Sequence, residues 1–465
     1  MKKMQAYKSN KQRRNFVSAP TELGEPRVCR SAMSNHIQDM SFFINNFKEI
    51  TDETVSYFIQ MSILNPNFEI DKVLNETDFV GNLFQEALEL KENDKSLKLY
   101  SWACSIIMNV SKMYFQYFPE EIVITLFYKL ISTDDEELIK YGLNGIYKIA
   151  KHGFLVRFIS YEMGIVQKLY DICMSTNHKY NIYIILKIIG SKSFQMCYDR
   201  ESIQLIAKLF IYFISLQDIP VFEYLKYSVK GIFNLITCRC DYQLHYKILI
   251  EAGLCKSIEH AQWISYKRYK TETNPKIKKD ADNIVEIGTK IINFIALSDN
   301  DLNKLTPIRY VSFYKKLYKS NNKNIVLESL RFILIAIPGM QKFENILLES
   351  EKNYDTIINV AKESFFEARI LAGHIISHII INGNINFYKS FISKQERIEI
   401  LISLFQDSID SDKSVFFLEA FNRLLESSIS LNILPFIKSI ENEIHYLMNN
   451  TKCHDEALQI ISKIK

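Results

Sequence analysis

The chain has 465 residues, 48% hydrophobic and 24% charged, which is the balance of a folded protein and excludes global disorder. With 13 Gly and 9 Pro it lacks the turn residues of a many-stranded β-sandwich, and this scarcity of helix breakers points to an all-α fold. The net charge of +4 belongs to one end: residues 1–30 hold eight Lys/Arg against two acids, so the rest of the chain is slightly acidic, which argues against a general nucleic-acid binder.

Residues 1–34 are polar and carry Pro20, Gly24 and Pro26, and they read as a basic arm that is flexible when free. The arm has no apolar run of the kind a secretory signal needs. No later stretch reaches the roughly 18 apolar residues of a membrane span, so no membrane partner is expected. The eight Cys are scattered, and the one close pair, Cys238-Arg-Cys240, has the wrong spacing for a zinc knuckle or a redox pair. Free buried thiols in a reducing compartment, cytoplasmic and/or nuclear, are the expectation.

From His36 onward helical periodicity dominates, and residues 35–465 read as a second region. Turn signals recur at Asn65-Pro66, Asp134-Asp135, Gly153, Gly164, Asn177, Gly253, Asn274-Pro275, Asn321-Asn322, Pro338-Gly339 and Gly383. Asp134 to Glu137 form an acidic helix start, suited to the positive end of the helix dipole. The polar, Lys-rich stretch Tyr266–Asp282 reads as a surface loop.

One pattern repeats inside the most apolar helices: a small or apolar residue followed by positions +2, +4 and +6. It runs Ala103-Ser105-Ile107-Asn109, Gly142-Asn144-Ile146-Lys148, Ser228-Lys230-Ile232-Asn234 and Ile287-Thr289-Ile291-Asn293. Weaker copies end at Lys187, Ile335, His378 and Glu426. Spacings between end points are 39 to 48 residues, apart from one of 59 that contains the Lys-rich stretch. Armadillo and HEAT repeats have periods of about 40–47 residues. Two Gly-containing phrases, Tyr161–Leu169 and Ile250–Ile258, mark helix junctions where Gly164 and Gly253 suit a positive φ. The expected architecture is an armadillo-like, right-handed α-solenoid of about nine repeats. Ile107, Ile146, Ile232 and Ile291 should be core, and the residues two positions earlier should face outward.

These phrases resemble the armadillo repeats of importin-α, the nuclear import adaptor. The resemblance is carried by Asn65–Phe84, by the helix Ala103–Asn109 and by the run Phe127–Leu169. The arm adds to it. Tyr7-Lys8, Lys11, Arg13-Arg14, Val17, Glu22-Leu23, Arg27 and Arg30 follow the order of that family's importin-β-binding segment. The resemblance implies a concave groove lined by the third helix of each repeat. There Asn amides would hold an extended peptide, and Trp rings would receive its Lys stems. It implies importin-β as a partner through Tyr7, Lys8, Lys11, Arg13, Arg14, Arg27 and Arg30.

In this register the Trp positions are Ser105, Asn144, Tyr183, Lys230, Thr289, Arg331, His374 and Asn422. The Asn positions are Asn109, Lys148, Lys187, Asn234, Asn293, Ile335, His378 and Glu426. No Trp is present among them. Lys148, Lys187 and Lys230 would repel a basic peptide, by about 3 kcal/mol for a pair at ~5 Å before solvent screening. The candidate groove residues are therefore Ser105, Asn109, Asn144, Lys148, Tyr183, Lys187, Lys230, Asn234, Thr289 and Asn293. The expected cargo is a neutral or acidic-apolar segment, in place of a standard basic nuclear-localisation signal.

Nothing points to an enzyme. No phosphate-binding Gly loop, nucleophile elbow, HExxH or CxxC occurs. His374 and His378 have i,i+4 spacing without a zincin's Glu, and they read as two groove-lining histidines with no metal or cofactor. The expectation is a non-enzymatic protein-binding adaptor; the alternative is an armadillo scaffold of another assembly, unconnected with import.

Overall fold

A computed structural model describes residues 49–64, 78–110, 120–152, 164–191, 199–216, 222–238, 242–297, 313–339, 347, 351–383, 385–411, 413–427, 430–449 and 452–464. The basic arm lies outside the described residues, as do Asn65–Thr77, Gly153–Met163 and the side chain of Asn109. The described residues form helices and no strands. The chain divides into two compact units, Met1–Phe210 with Thr237–Ile248, and Ile211–Ile236 with Leu249–Lys465.

The first unit contains α1 (Asp52–Leu64), α2 (Phe79–Glu89), α3 (Lys95–Val110), α4 (Glu120–Ile131), α5 (Glu136–His152), α6 (Ile165–Ser175), α7 (Lys179–Ile189) and most of α8 (Arg200–Ser215). The longest stack runs α1, α3, α5, α7, each packed on the next. We call this the inner row. Helices α2, α4 and α6 pack against it. Local chemistry sets the boundaries. The Asp135 carboxylate accepts from the backbone N–H of Glu137 (2.9 Å) and Leu138 (3.2 Å), which caps α5 at the acidic start legible in the sequence. The core beneath is apolar: Ala103, Ile107, Phe127, Leu143, Ile146, Ile185 and Ile188 are all buried.

The second unit contains α9 (Phe222–Ile236), α11 (Leu254–Thr271), α12 (Pro275–Ala296), α13 (Lys323–Gly339), α14 (Glu351–Glu363), α15 (Phe366–Asn382), α16 (Ile385–Ile392), α17 (Gln395–Asp407), α18 (Ser414–Glu426), α19 (Ser430–Lys438), α20 (Glu441–Leu447) and α21 (His454–Ile464). The helix α10 (Tyr242–Glu251) straddles the division. Its inner row is α9, α12, α13, α15, α18, α21, again packed in sequence, with α11, α14, α17 and α19 against it. Ile232 and Ile291 are fully buried in this row, while Lys230, two positions before Ile232, is exposed.

Gly164 and Gly253 sit immediately before α6 and α11 with φ of 59° and 100°. In this left-handed region a side chain would strain the backbone, so the two repeat-end phrases use glycine for the same turn.

The Lys-rich stretch Tyr266–Asp282 is a helical hairpin, not a surface loop. Helix α11 continues to Thr271, and α12 begins at Pro275 after three residues. Asn274 caps α12 by accepting from the N–H of Lys276 (3.0 Å) and Ile277 (3.4 Å), and Pro275 takes the first helical position, where no N–H is needed. Lysine is a good helix former, and its polarity on an exposed face concealed the helix in the sequence.

Candidate functional site: the inner-row face of α5 and α7

Residues 140, 144, 147, 148 and 151 recur at i, i+4, i+7, i+8 and i+11 along α5 and so share one helical face. Tyr180, Tyr183 and Lys187 do the same on the neighbouring α7. The Tyr180 hydroxyl donates to the Asn144 side-chain oxygen at 2.7 Å, which ties one repeat to the next. Lys140 Nζ lies 5.3 Å from the Tyr180 ring centroid. Lys187 Nζ lies 4.2 Å from the Tyr147 ring and 4.9 Å from the Tyr183 ring. The rings of this face are therefore occupied by the protein's own lysines.

Lys148, on the same face of α5, is half-buried and has no hydrogen-bond or ion-pair partner among the described residues. Burial, and secondarily the charge of Lys151, pull its ammonium pKa down to about 8. Carboxylates on α3, α5 and α7 are confined to the first turn of α5. There Glu136 meets His178 at 2.5 Å, and Asp135 and Glu137 meet Lys98 at 2.6 and 3.3 Å. Against the upward push of burial, Lys98 and the backbone N–H groups of Leu138 and Glu137 hold the Asp135 carboxyl below its usual value.

The other groove candidates fall differently. Ser105, Asn144, Thr289 and Asn293 are buried, so the expectation that they form an exposed peptide-holding surface is corrected. The physical reason is that buried amides and hydroxyls must be satisfied within the protein. Thr289 Oγ1 accepts from Gln262 Nε2 at 2.9 Å and donates to the Val285 carbonyl at 2.8 Å. Asn293 Nδ2 donates to the Glu328 carbonyl (3.0 Å) and carboxylate (2.7 Å) on the next inner-row helix. Asn422 repeats the device, donating to the Glu456 carbonyl at 3.0 Å. Lys230 is exposed; Asn234 and Tyr183 are half-buried.

His374 is a core residue and not a groove-lining one. It is 1% exposed and packs on the rings of Phe416 and Phe417 at 5.9 and 5.4 Å. Burial, then Lys413 and His378, push its pKa down to about 4. Its neighbour His378 packs on Phe416 at 4.8 Å. Among the described residues no group of three or more His, Cys, Asp or Glu could hold a metal ion, and no helix is long and apolar enough to cross a membrane. Cys104, Cys173, Cys238, Cys255 and Cys453 are buried and form no disulfide.

Sequence reasoning found Lys148, Lys187 and Tyr183 but missed Lys140, Tyr147, Lys151 and Tyr180. The Lys140, Lys148, Lys151 spacing was the available signal, since it places all three on one side of α5.

No protein-family model matches the chain, and no curated protein does. Its fold resembles the crystal structure of an engineered protein at TM-score 0.61 and 15% identity, covering 91% of this chain and 98% of that one. Within each unit the described residues are helices stacked in succession, the all-α arrangement consistent with an α-solenoid. Two designed proteins also align. A designed armadillo repeat protein in complex with the peptide (KR)4 gives TM-score 0.41 at 15% identity, over 54% of this chain and 98% of that one. A computationally designed armadillo repeat protein for modular peptide recognition gives 0.42 at 15%, with the same coverage.

Proposed function

We propose that this solenoid is a non-enzymatic protein-binding adaptor that holds an extended partner segment along its inner row and recruits importin-β through its basic arm, as a divergent import adaptor. The observation that carries the binding reading is the α5–α7 face. It carries cations, rings and a half-buried ammonium, Lys148, that has no hydrogen-bond or ion-pair partner among the described residues. A solenoid with only a structural purpose gains nothing from such a charge, because burying it costs free energy. The import reading is supported by the order of aromatic, basic and Glu-Leu elements between Tyr7 and Arg30. It places the protein in the cytoplasm and nucleus.

Capture of importin-β by the full-length chain tests the import reading. Arg13→Ala with Arg14→Ala should weaken capture, and the remaining binding should fall as salt rises, because exposed charges are screened over ~8 Å at physiological ionic strength. Unchanged capture by the double variant removes the arm from the contact. Absence of capture by the unsubstituted chain leaves a scaffold of another assembly.

A further inference from the structure

Lys140, Lys148 and Lys151 of α5 have no carboxylate partner among the described residues. Beyond the first turn of α5 neither helix has an acid, and the acids of that turn are engaged by His178 and Lys98. Lys187 and Lys140 rest on the faces of Tyr147, Tyr183 and Tyr180, which fixes where their ammonium groups stand and fills the ring faces that a basic ligand would need. Lys148, on the same face of α5 as Lys140, is half-buried and unpaired among the described residues.

We propose that the α5–α7 face is a binding site for an acidic peptide segment, with a ligand carboxylate received by the Lys148 ammonium and flanking carboxylates met by Lys140, Lys151 and Lys187. The proposal rests on the reading of the inner row as a protein-binding surface and deepens it by naming the partner's chemistry. Charge complementarity selects an acidic occupant and rejects the chain's own arm, which has the same sign as the face. The filled ring faces argue against single-stranded nucleic acid, whose bases need open aromatic faces on which to stack. Lys148 is prepared for an anion in advance. Folding has already stripped part of its water, so the incoming carboxylate meets a cation that has met part of its desolvation cost before binding. The downward shift of its pKa agrees with that state, since an arriving carboxylate would restore the proton's hold.

The test uses the full-length chain and fluorescence anisotropy, with three labelled probes: octaglutamate, a (Lys-Arg)4 peptide and an oligothymidylate of twelve nucleotides. Octaglutamate should bind most tightly and weaken as salt rises. Lys148→Met should weaken it about tenfold, while Lys148→Arg keeps most of the affinity. Should Lys148→Met fail to fold, Lys140→Met with Lys151→Met carries the same test. Equal octaglutamate binding by wild type and folded Lys148→Met overturns the proposal. So does Lys148-dependent binding of either other probe that is tighter than octaglutamate. Importin-β capture through the arm is independent of Lys148. If octaglutamate binding depends on Lys148 without capture, the site stands and the import reading falls. If capture occurs without octaglutamate binding, the site falls alone.

Discussion

Along α1, α3, α5 and α7 the inner row of the first unit carries seven Lys and four carboxylates. Along α9, α12, α13, α15, α18 and α21 the inner row of the second carries eleven Lys/Arg and ten carboxylates. The second row answers its own charges. Lys226 meets Asp280 at 2.7 Å, Lys290 meets Glu286 at 2.8 Å, Arg331 meets Glu328 at 2.6 Å and Lys463 meets Glu426 at 2.9 Å. In the first row Lys140 and Lys187 settle on rings, and Lys148 has no hydrogen-bond or ion-pair partner among the described residues. Two rows of similar apolar helices thus differ in what their polar edges are for. One edge is closed by internal pairs, and the other keeps an excess of positive charge available to a ligand.

The largest effect expected is an acid response in the second unit. His374 binds its proton with a pKa of about 4 when folded and near 6.5 when unfolded. The unfolded chain therefore holds more protons between those values, so stability falls as pH drops from 6.5 to 4, by about 3 kcal/mol when complete. Thermal melts of wild type and His374→Leu across this range should show the variant losing less. Parallel pH profiles would place the acid response elsewhere.

Next in size is the cost of opening an internal pair. Asp280 is 9% exposed and Lys226 is held against it. Asp280→Ala strands a part-buried ammonium and should destabilise by about 2 kcal/mol in urea unfolding, less than a fully buried pair because water still reaches Lys226. The matching substitution in the first unit has the opposite sign. Lys148→Met removes a charge that no partner among the described residues stabilises and should stabilise at pH 7 by about 1–2 kcal/mol, after allowance for solvent screening of a half-buried group. The gain should be full below pH 8 and fade towards pH 10.5, as the unfolded lysine also loses its proton. A destabilised Lys148→Met would mean that the ammonium supports the fold, and the contrast between the rows would fail.

The sequence displayed the solenoid because its period is carried by apolar spacing, which packing must obey: Ile107, Ile146, Ile232 and Ile291 could be read as core without coordinates. The glycine turns at Gly164 and Gly253 were legible for a similar reason, since only one residue type enters that backbone region without strain. Polar positions were harder. Lys148 and Lys187 were visible as charges, but the rings beside Lys187 come from its own helix and from the previous repeat. Pairings of that kind depend on how helices stack, which periodicity does not specify. The Lys-rich α11–α12 hairpin was misread because solvated helices and loops share a composition. Asn144 and Asn293 were assigned to a ligand because a buried amide joining two repeats and an exposed amide gripping a peptide occupy the same place in the pattern.

Those amides give the smallest and sharpest comparison. Asn144 in the first unit accepts one hydrogen bond from Tyr180, a residue 37% exposed, whose hydroxyl can turn to water when the partner is lost. Asn422 in the second unit donates to the Glu456 carbonyl at 3.0 Å and accepts from Lys463 at 3.2 Å, so its loss removes two ties to α21. Asn422→Ala should therefore cost about 1–2 kcal/mol and Asn144→Ala about half as much, since a net hydrogen bond contributes about 1 kcal/mol and a stranded buried partner adds to the loss. Urea unfolding of both variants reads the difference. If Asn144→Ala proves the costlier, the first inner row is also held by its polar edge, and its lysines cannot be regarded as set aside for a ligand.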